Sequence, residues 1–123
     1  MTNQVLIVED SPDNMIIVSF ILQRMGYEVV EAWTGIEGYQ QVLDILPSLI
    51  ITDYHLPGLN GVELVKKIRD TESIAHIPVI AMTADIYARP ELMQAGCDAY
   101  ITKPVRKGIL LRTINQVLSA QAV

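Results

Sequence analysis

The sequence predicts an α/β fold: a doubly wound, five-stranded parallel sheet with five helices on its two faces. Two observations carry this. Short apolar runs alternate with longer amphipathic ones five times along the chain. Three of the short runs, Val5-Leu6-Ile7-Val8, Leu49-Ile50-Ile51-Thr52 and Val79-Ile80-Ala81-Met82, are continuously apolar rather than alternating. Strands covered by helices on both sides have that character.

The first strand is expected over Val5–Glu9. Ser11 then caps a helix with Pro12 in its first position, and Gly26 closes it after Met25. At about 100° per residue, Asn14, Ile17, Val18, Ile21, Leu22 and Met25 share one side of that helix, while Ile16 and Phe20 lie opposite. A second strand follows over Glu28–Ala32. Thr34 and Glu37 have capping-box spacing for a second helix, which must stop near Leu46 because Pro47 follows. The third strand is Leu49–Asp53, with a helix from about Gly61 to Thr71. Pro78–Met82 is the fourth strand, and the short helix after it has Pro90 near its start and Gly96 at its end. The last strand is Asp98–Thr102, and the last helix runs from about Lys107 to Ser119. Pro90 and Gly108 both lower helix propensity in this final third.

The 123 residues fit one domain, spanning 1–123, with no linker, repeat or low-complexity tract. Half the residues are apolar and 19% are charged, a globular composition. The net charge of −5 and the lack of any basic patch beyond Lys103, Arg106 and Lys107 argue against direct nucleic-acid binding. The single cysteine, Cys97, excludes an internal disulfide and reads as a small buried apolar residue. No signal-peptide pattern opens the chain, and no apolar run reaches the ~18 residues of a membrane span. A cytoplasmic protein is expected, without membrane contact.

Ligands in open parallel sheets sit beyond the carboxyl ends of the strands. Here those ends carry Glu9-Asp10, Asp53, Thr83 and Lys103-Pro104. Each residue alone has an ordinary structural explanation, but structure does not require all of them on one edge. Three carboxylates together repel one another without a cation, and hard oxygen donors suit Mg²⁺, with Mn²⁺ as an alternative. One divalent ion and Lys103 roughly balance the three negative charges and leave a site suited to a phosphoryl group.

These segments resemble the response-regulator receiver domain over essentially the whole chain. The resemblance rests on Val-Leu-Ile-Val-Glu9-Asp10, on Ile-Ile-Thr-Asp53-Tyr-His-Leu-Pro57-Gly58-Leu-Asn-Gly61, on Pro78-Val-Ile-Ala-Met-Thr83-Ala84, and on Ala95-Gly96-Cys-Asp-Ala-Tyr100-Ile-Thr-Lys103-Pro104. It implies a flavodoxin-like strand order 2-1-3-4-5 and a two-component or phosphorelay function. Asp53 would accept a phosphoryl group from a sensor histidine kinase or a histidine phosphotransfer protein. Asp10 and Asp53 would bind Mg²⁺ directly, Glu9 through water, and His55 through its backbone carbonyl. Lys103, ahead of a cis bond to Pro104, would pair with a phosphoryl oxygen. Thr83 would hydrogen-bond the arriving group and Tyr100 would turn toward it, switching the face made by helix 4, strand 5 and helix 5 toward a downstream protein. The side chains of His55 and Asp85 would tune the phosphoryl lifetime. Ile16, Phe20 and Pro104 would dock the phosphodonor.

Two other chemistries fit less well. An aspartyl phosphatase resembling the haloacid dehalogenase family needs a second Asp where His55 stands. A flavin-binding protein of similar topology would meet Glu-Asp-Ser-Pro after the first strand, which repels a phosphate. A degenerate, phosphorylation-independent receiver would lack part of the set Glu9, Asp10, Asp53, Thr83 and Lys103.

Overall fold

The computed structural model describes residues 3–121. In chain order the elements are β1 (Gln4–Val8), α1 (Pro12–Arg24), β2 (Glu28–Ala32), α2 (Gly35–Ile45), β3 (Leu49–Asp53), α3 (Gly61–Arg69), β4 (Val79–Thr83), a 3-10 turn (Ile86–Ala88), α4 (Arg89–Ala95), β5 (Ala99–Thr102) and α5 (Lys107–Gln121). The strands form one parallel sheet in the order β2-β1-β3-β4-β5. Strand bounds move by a residue at β1, β4 and β5: Glu9 falls just beyond β1, while Thr83 is the last residue of β4.

Two cores cover the sheet. Val42, Leu64, Val65, Ile68 and Leu92 bring α2, α3 and α4 onto the face carrying Leu6, Ile50 and Val79. Met15, Val18, Leu22, Leu110 and Ile114 bring α1 and α5 onto the face carrying Ile7, Ile51 and Ile80. β1, β3 and β4 are central and buried on both faces, which is why their sequences do not alternate.

Helix ends follow the local chemistry, with corrections. Ser11 caps α1, accepting from the Asn14 N–H, and Gly26 takes the left-handed conformation just past its end. The inward face of α1 is turned from the expected one: Met15 is 1% exposed while Ile17 is 47% exposed. Its buried set also admits Ser19, whose hydroxyl donates to Glu31 on β2. Thr34 caps α2, but the Glu37 carboxylate passes over the capping residue and accepts from the Trp33 N–H. The full capping box belongs instead to α3, where Asn60 and Glu63 accept from each other's backbone N–H. Pro90 sits in the first turn of α4, where a missing N–H costs little, so it does not weaken the helix as expected.

Candidate functional site

The register of the sheet decides the site. Val8 pairs with Thr52, Asp53 with Met82, and Thr83 with Thr102. The chain segments leaving β1, β3, β4 and β5 therefore emerge at one edge, and Glu9, Asp10, Asp53, Thr83 and Lys103 meet there.

Glu9 is fully buried and Asp53 nearly so, while Asp10 is exposed at the mouth. One carboxylate oxygen from each lies within 4.8 Å of the others. The Lys103 ammonium donates to Glu9 Oε1 at 2.9 Å and lies 3.0 Å from Asp53 Oδ2. The remaining oxygens are held by backbone: Ser11 N–H donates to Glu9 Oε2 at 3.0 Å, and Tyr54 N–H to Asp53 Oδ1 at 2.8 Å. Burial alone would pull the Lys103 ammonium down, but hydrogen bonds to Glu9 and Asp53 and their charges outweigh it and hold its pKa above the ordinary lysine value. Three carboxylates and one ammonium leave two negative charges, the deficit that one divalent cation cancels. The donors are all hard oxygens, as Mg²⁺ requires.

The other expected residues surround this centre. Thr83 is buried at the end of β4, and its hydroxyl accepts from the Asp85 N–H at 2.9 Å. The Asp85 carboxylate caps the 3-10 turn by accepting from the Tyr87 N–H. His55 is exposed, its ring edge-on to Tyr54 with centroids 4.6 Å apart. The Lys103-Pro104 bond is cis. Tyr100 is half-buried on β5 beneath the Arg89 guanidinium, which stands 5.2 Å from its ring centroid. Ile16 and Phe20 lie on the outer side of α1, at 66% and 59% exposure. They are joined by Ile17, and Arg24 stands over the Phe20 ring.

The sequence reading gave no role to Tyr54, although it follows Asp53 directly. Its N–H holds the Asp53 carboxylate and its hydroxyl donates to Glu91 Oε2 on α4 at 3.1 Å. Glu91 carries no sequence signal, because its partner lies 37 residues earlier.

A protein-family model described as the response regulator receiver domain matches residues 5–115. The chain belongs to that family. This receiver domain is 38% identical over 120 residues to the polar-differentiation response regulator DivK of Brucella ovis, an alignment covering 96% of the chain and 98% of that relative. It is similar in structure to a response regulator from Chloroflexus aurantiacus, with a TM-score of 0.92, 30% identity, and coverage of 97% of this chain and 99% of that one. A receiver domain of a Pseudomonas aeruginosa sensor histidine kinase, with magnesium coordinated in its active-site cleft, matches at a TM-score of 0.88 and 29% identity over 97% of this chain and 99% of that one. The strand order expected of receivers is the one observed. The chain is thus a receiver of the two-component kind. Among the described residues, no helix is long and apolar enough to cross a membrane.

Proposed function

We propose that residues 1–123 form one cytoplasmic phosphoacceptor domain, with Asp53 as the residue that carries the phosphoryl group. The supporting observation is the Lys103 ammonium, placed 2.9 Å from Glu9 and 3.0 Å from Asp53 at the buried end of the carboxylate cluster. An Asp53 oxygen attacks the phosphorus of a phosphohistidine on a sensor kinase or phosphotransfer protein. The phosphorus–nitrogen bond breaks, and the imidazole leaves and takes a proton from water. A carboxylate is a weak nucleophile, so positioning and charge neutralisation carry the step. Asp10, Asp53 and the His55 carbonyl, with Glu9 through water, would hold Mg²⁺ or Mn²⁺, which would supply charge neutralisation at the phosphoryl oxygens. Lys103 adds a compact positive charge there.

Thr83 leaves the Asp85 N–H to bond the new phosphoryl oxygen. Tyr100 follows, and the face formed by α4, β5 and α5 changes its contacts with a downstream protein. The chain acts as a signalling phosphoacceptor that catalyses its own labelling and slow dephosphorylation, rather than as a turnover enzyme. His55 flanks the mouth and tunes that lifetime. Asp85 acts on lifetime from the 3-10 turn that its carboxylate caps. The exposed Ile16, Ile17 and Phe20, with Pro104, dock the phosphodonor.

Acetyl phosphate with Mg²⁺ is expected to add one hydroxylamine-sensitive phosphate by intact mass, and Asp53→Asn or chelation to abolish it. Labelling that persists in Asp53→Asn overturns the assignment. Ile16→Glu with Phe20→Glu should slow transfer from the phosphorylated partner while leaving acetyl phosphate labelling intact; unchanged transfer removes the docking claim.

A further inference from the structure

We propose that Tyr54 is a positioning residue whose hydrogen bond to Glu91 ties the Asp53 carboxylate to helix α4. The proposal rests on Asp53 being the phosphoacceptor and adds a second link between that residue and the α4 face, separate from the one through Thr83 and Tyr100.

Tyr54 is fixed at four points. Its N–H lies 2.8 Å from Asp53 Oδ1 and also 2.8 Å from the Met82 carbonyl of β4. Its carbonyl accepts from the Gly61 N–H, the first residue of α3, at 2.9 Å. Its ring is half-buried against the core and meets His55 edge-on. Its hydroxyl reaches Glu91 at 3.1 Å. The residue whose backbone orients the nucleophile thus reaches α4 through its hydroxyl.

The start of helix α4 has little else to hold it. It is seven residues long, begins without a side-chain cap, and buries only Leu92 and Ala95. Two aromatic residues grip it from either side: Tyr54 from the end of β3 through Glu91, and Tyr100 from β5 beneath Arg89. A displacement of α4 pulls on Tyr54, and a change at Asp53 is felt at Glu91. Such coupling is reciprocal between the two ends.

The test compares wild type, Tyr54→Phe, Glu91→Ala, Glu91→Gln and the Tyr54→Phe/Glu91→Ala double variant in the full chain. Two quantities are measured: the acetyl phosphate labelling rate with Mg²⁺, and hydrogen exchange of the α4 amides without any phosphodonor. Tyr54→Phe and Glu91→Ala should each slow labelling by about fivefold, the effect of one modest hydrogen bond. The double variant should be no slower than either single one. Glu91→Gln keeps an acceptor for the Tyr54 hydroxyl and should restore labelling. Exchange over residues 92–96 should quicken in the same variants that label slowly. Additive slowing, failure of Glu91→Gln to restore, or unchanged exchange overturns the tie. If wild type takes no phosphate on Asp53, the phosphoacceptor reading fails, and the exchange pattern alone decides whether Tyr54 holds α4.

Discussion

Helices α3 and α4 both follow central strands whose ends enter the site, yet they are built in opposite ways. α3 starts with a reciprocal capping box and buries five of its nine residues, Gly61, Val62, Leu64, Val65 and Ile68. It ends in Arg69, whose guanidinium donates to the Gly96, Ala75 and Ile77 carbonyls and pairs with Asp98. α4 starts from a 3-10 turn with Ala88 in the capping position, and it buries two residues of seven. The Arg69 anchor also occupies the space above Gly96, so α3 fixes the far end of α4 while its start stays lightly held. A switch needs that division: a rigid frame for the reacting residues and one element cheap to move. In the switch proposed above, α3 serves as the frame and α4 as the moving part.

Among side-chain truncations, the one that breaks the frame should have the largest effect. Arg69→Ala removes the donor for three backbone carbonyls and leaves them short of partners in the α3–α4–β5 corner. A loss of about 2–3 kcal/mol in urea unfolding is expected. A loss below 1 kcal/mol would show that α3 is no better anchored than α4.

Cys97 probes the same corner by pH. Burial pushes its thiol up to about 12, with Arg69 pulling it down and Asp98 up. The unfolded chain releases that proton near pH 9, while the fold keeps it until about pH 12. Stability is therefore full below pH 9 and drains as pH rises through that interval, by up to about 1.4 kcal/mol per unit. Cys97→Ala should remove this component of the alkaline loss, as read by urea unfolding between pH 8 and 11 (about two units into the window). Asn60→Ala, which removes only the α3 cap, should cost about 1 kcal/mol.

Much of this was legible beforehand because it depends on local pattern. Continuous apolar runs mark β1, β3 and β4 as central strands, and a polar residue at each carboxyl end marks the site edge. Ser11-Pro12 and Gly26 mark the two ends of α1. What escaped the sequence depends on three-dimensional partners. Val18, Ile21 and Leu22 face inward as expected, but a turn of α1 about its axis brings Met15 and Ser19 in and puts Ile17 outside, which periodicity over 13 residues does not resolve. Glu37 and Glu63 both stand three residues after a capping side chain, yet only Glu63 turns back to its own cap. The Arg69–Gly96 and Tyr54–Glu91 bonds join residues 27 and 37 apart in sequence, and nothing in either neighbourhood announces the pairing.

The smallest expected effect concerns Pro90. It stands second in α4, in the first turn, where its nitrogen would have no intrahelical partner. Its ring presets the helical φ and restricts the unfolded chain, so Pro90→Ala should cost only about 0.5 kcal/mol. The same residue placed inside α3, as Lys66→Pro, should cost about 3 kcal/mol, because there it removes a ladder hydrogen bond and clashes with the preceding turn. Urea unfolding of both variants tests whether α4 tolerates proline by position alone. If Pro90→Ala cost as much as Lys66→Pro, the start of α4 would be a rigid element in its own right. The division of labour between the two helices would then be lost.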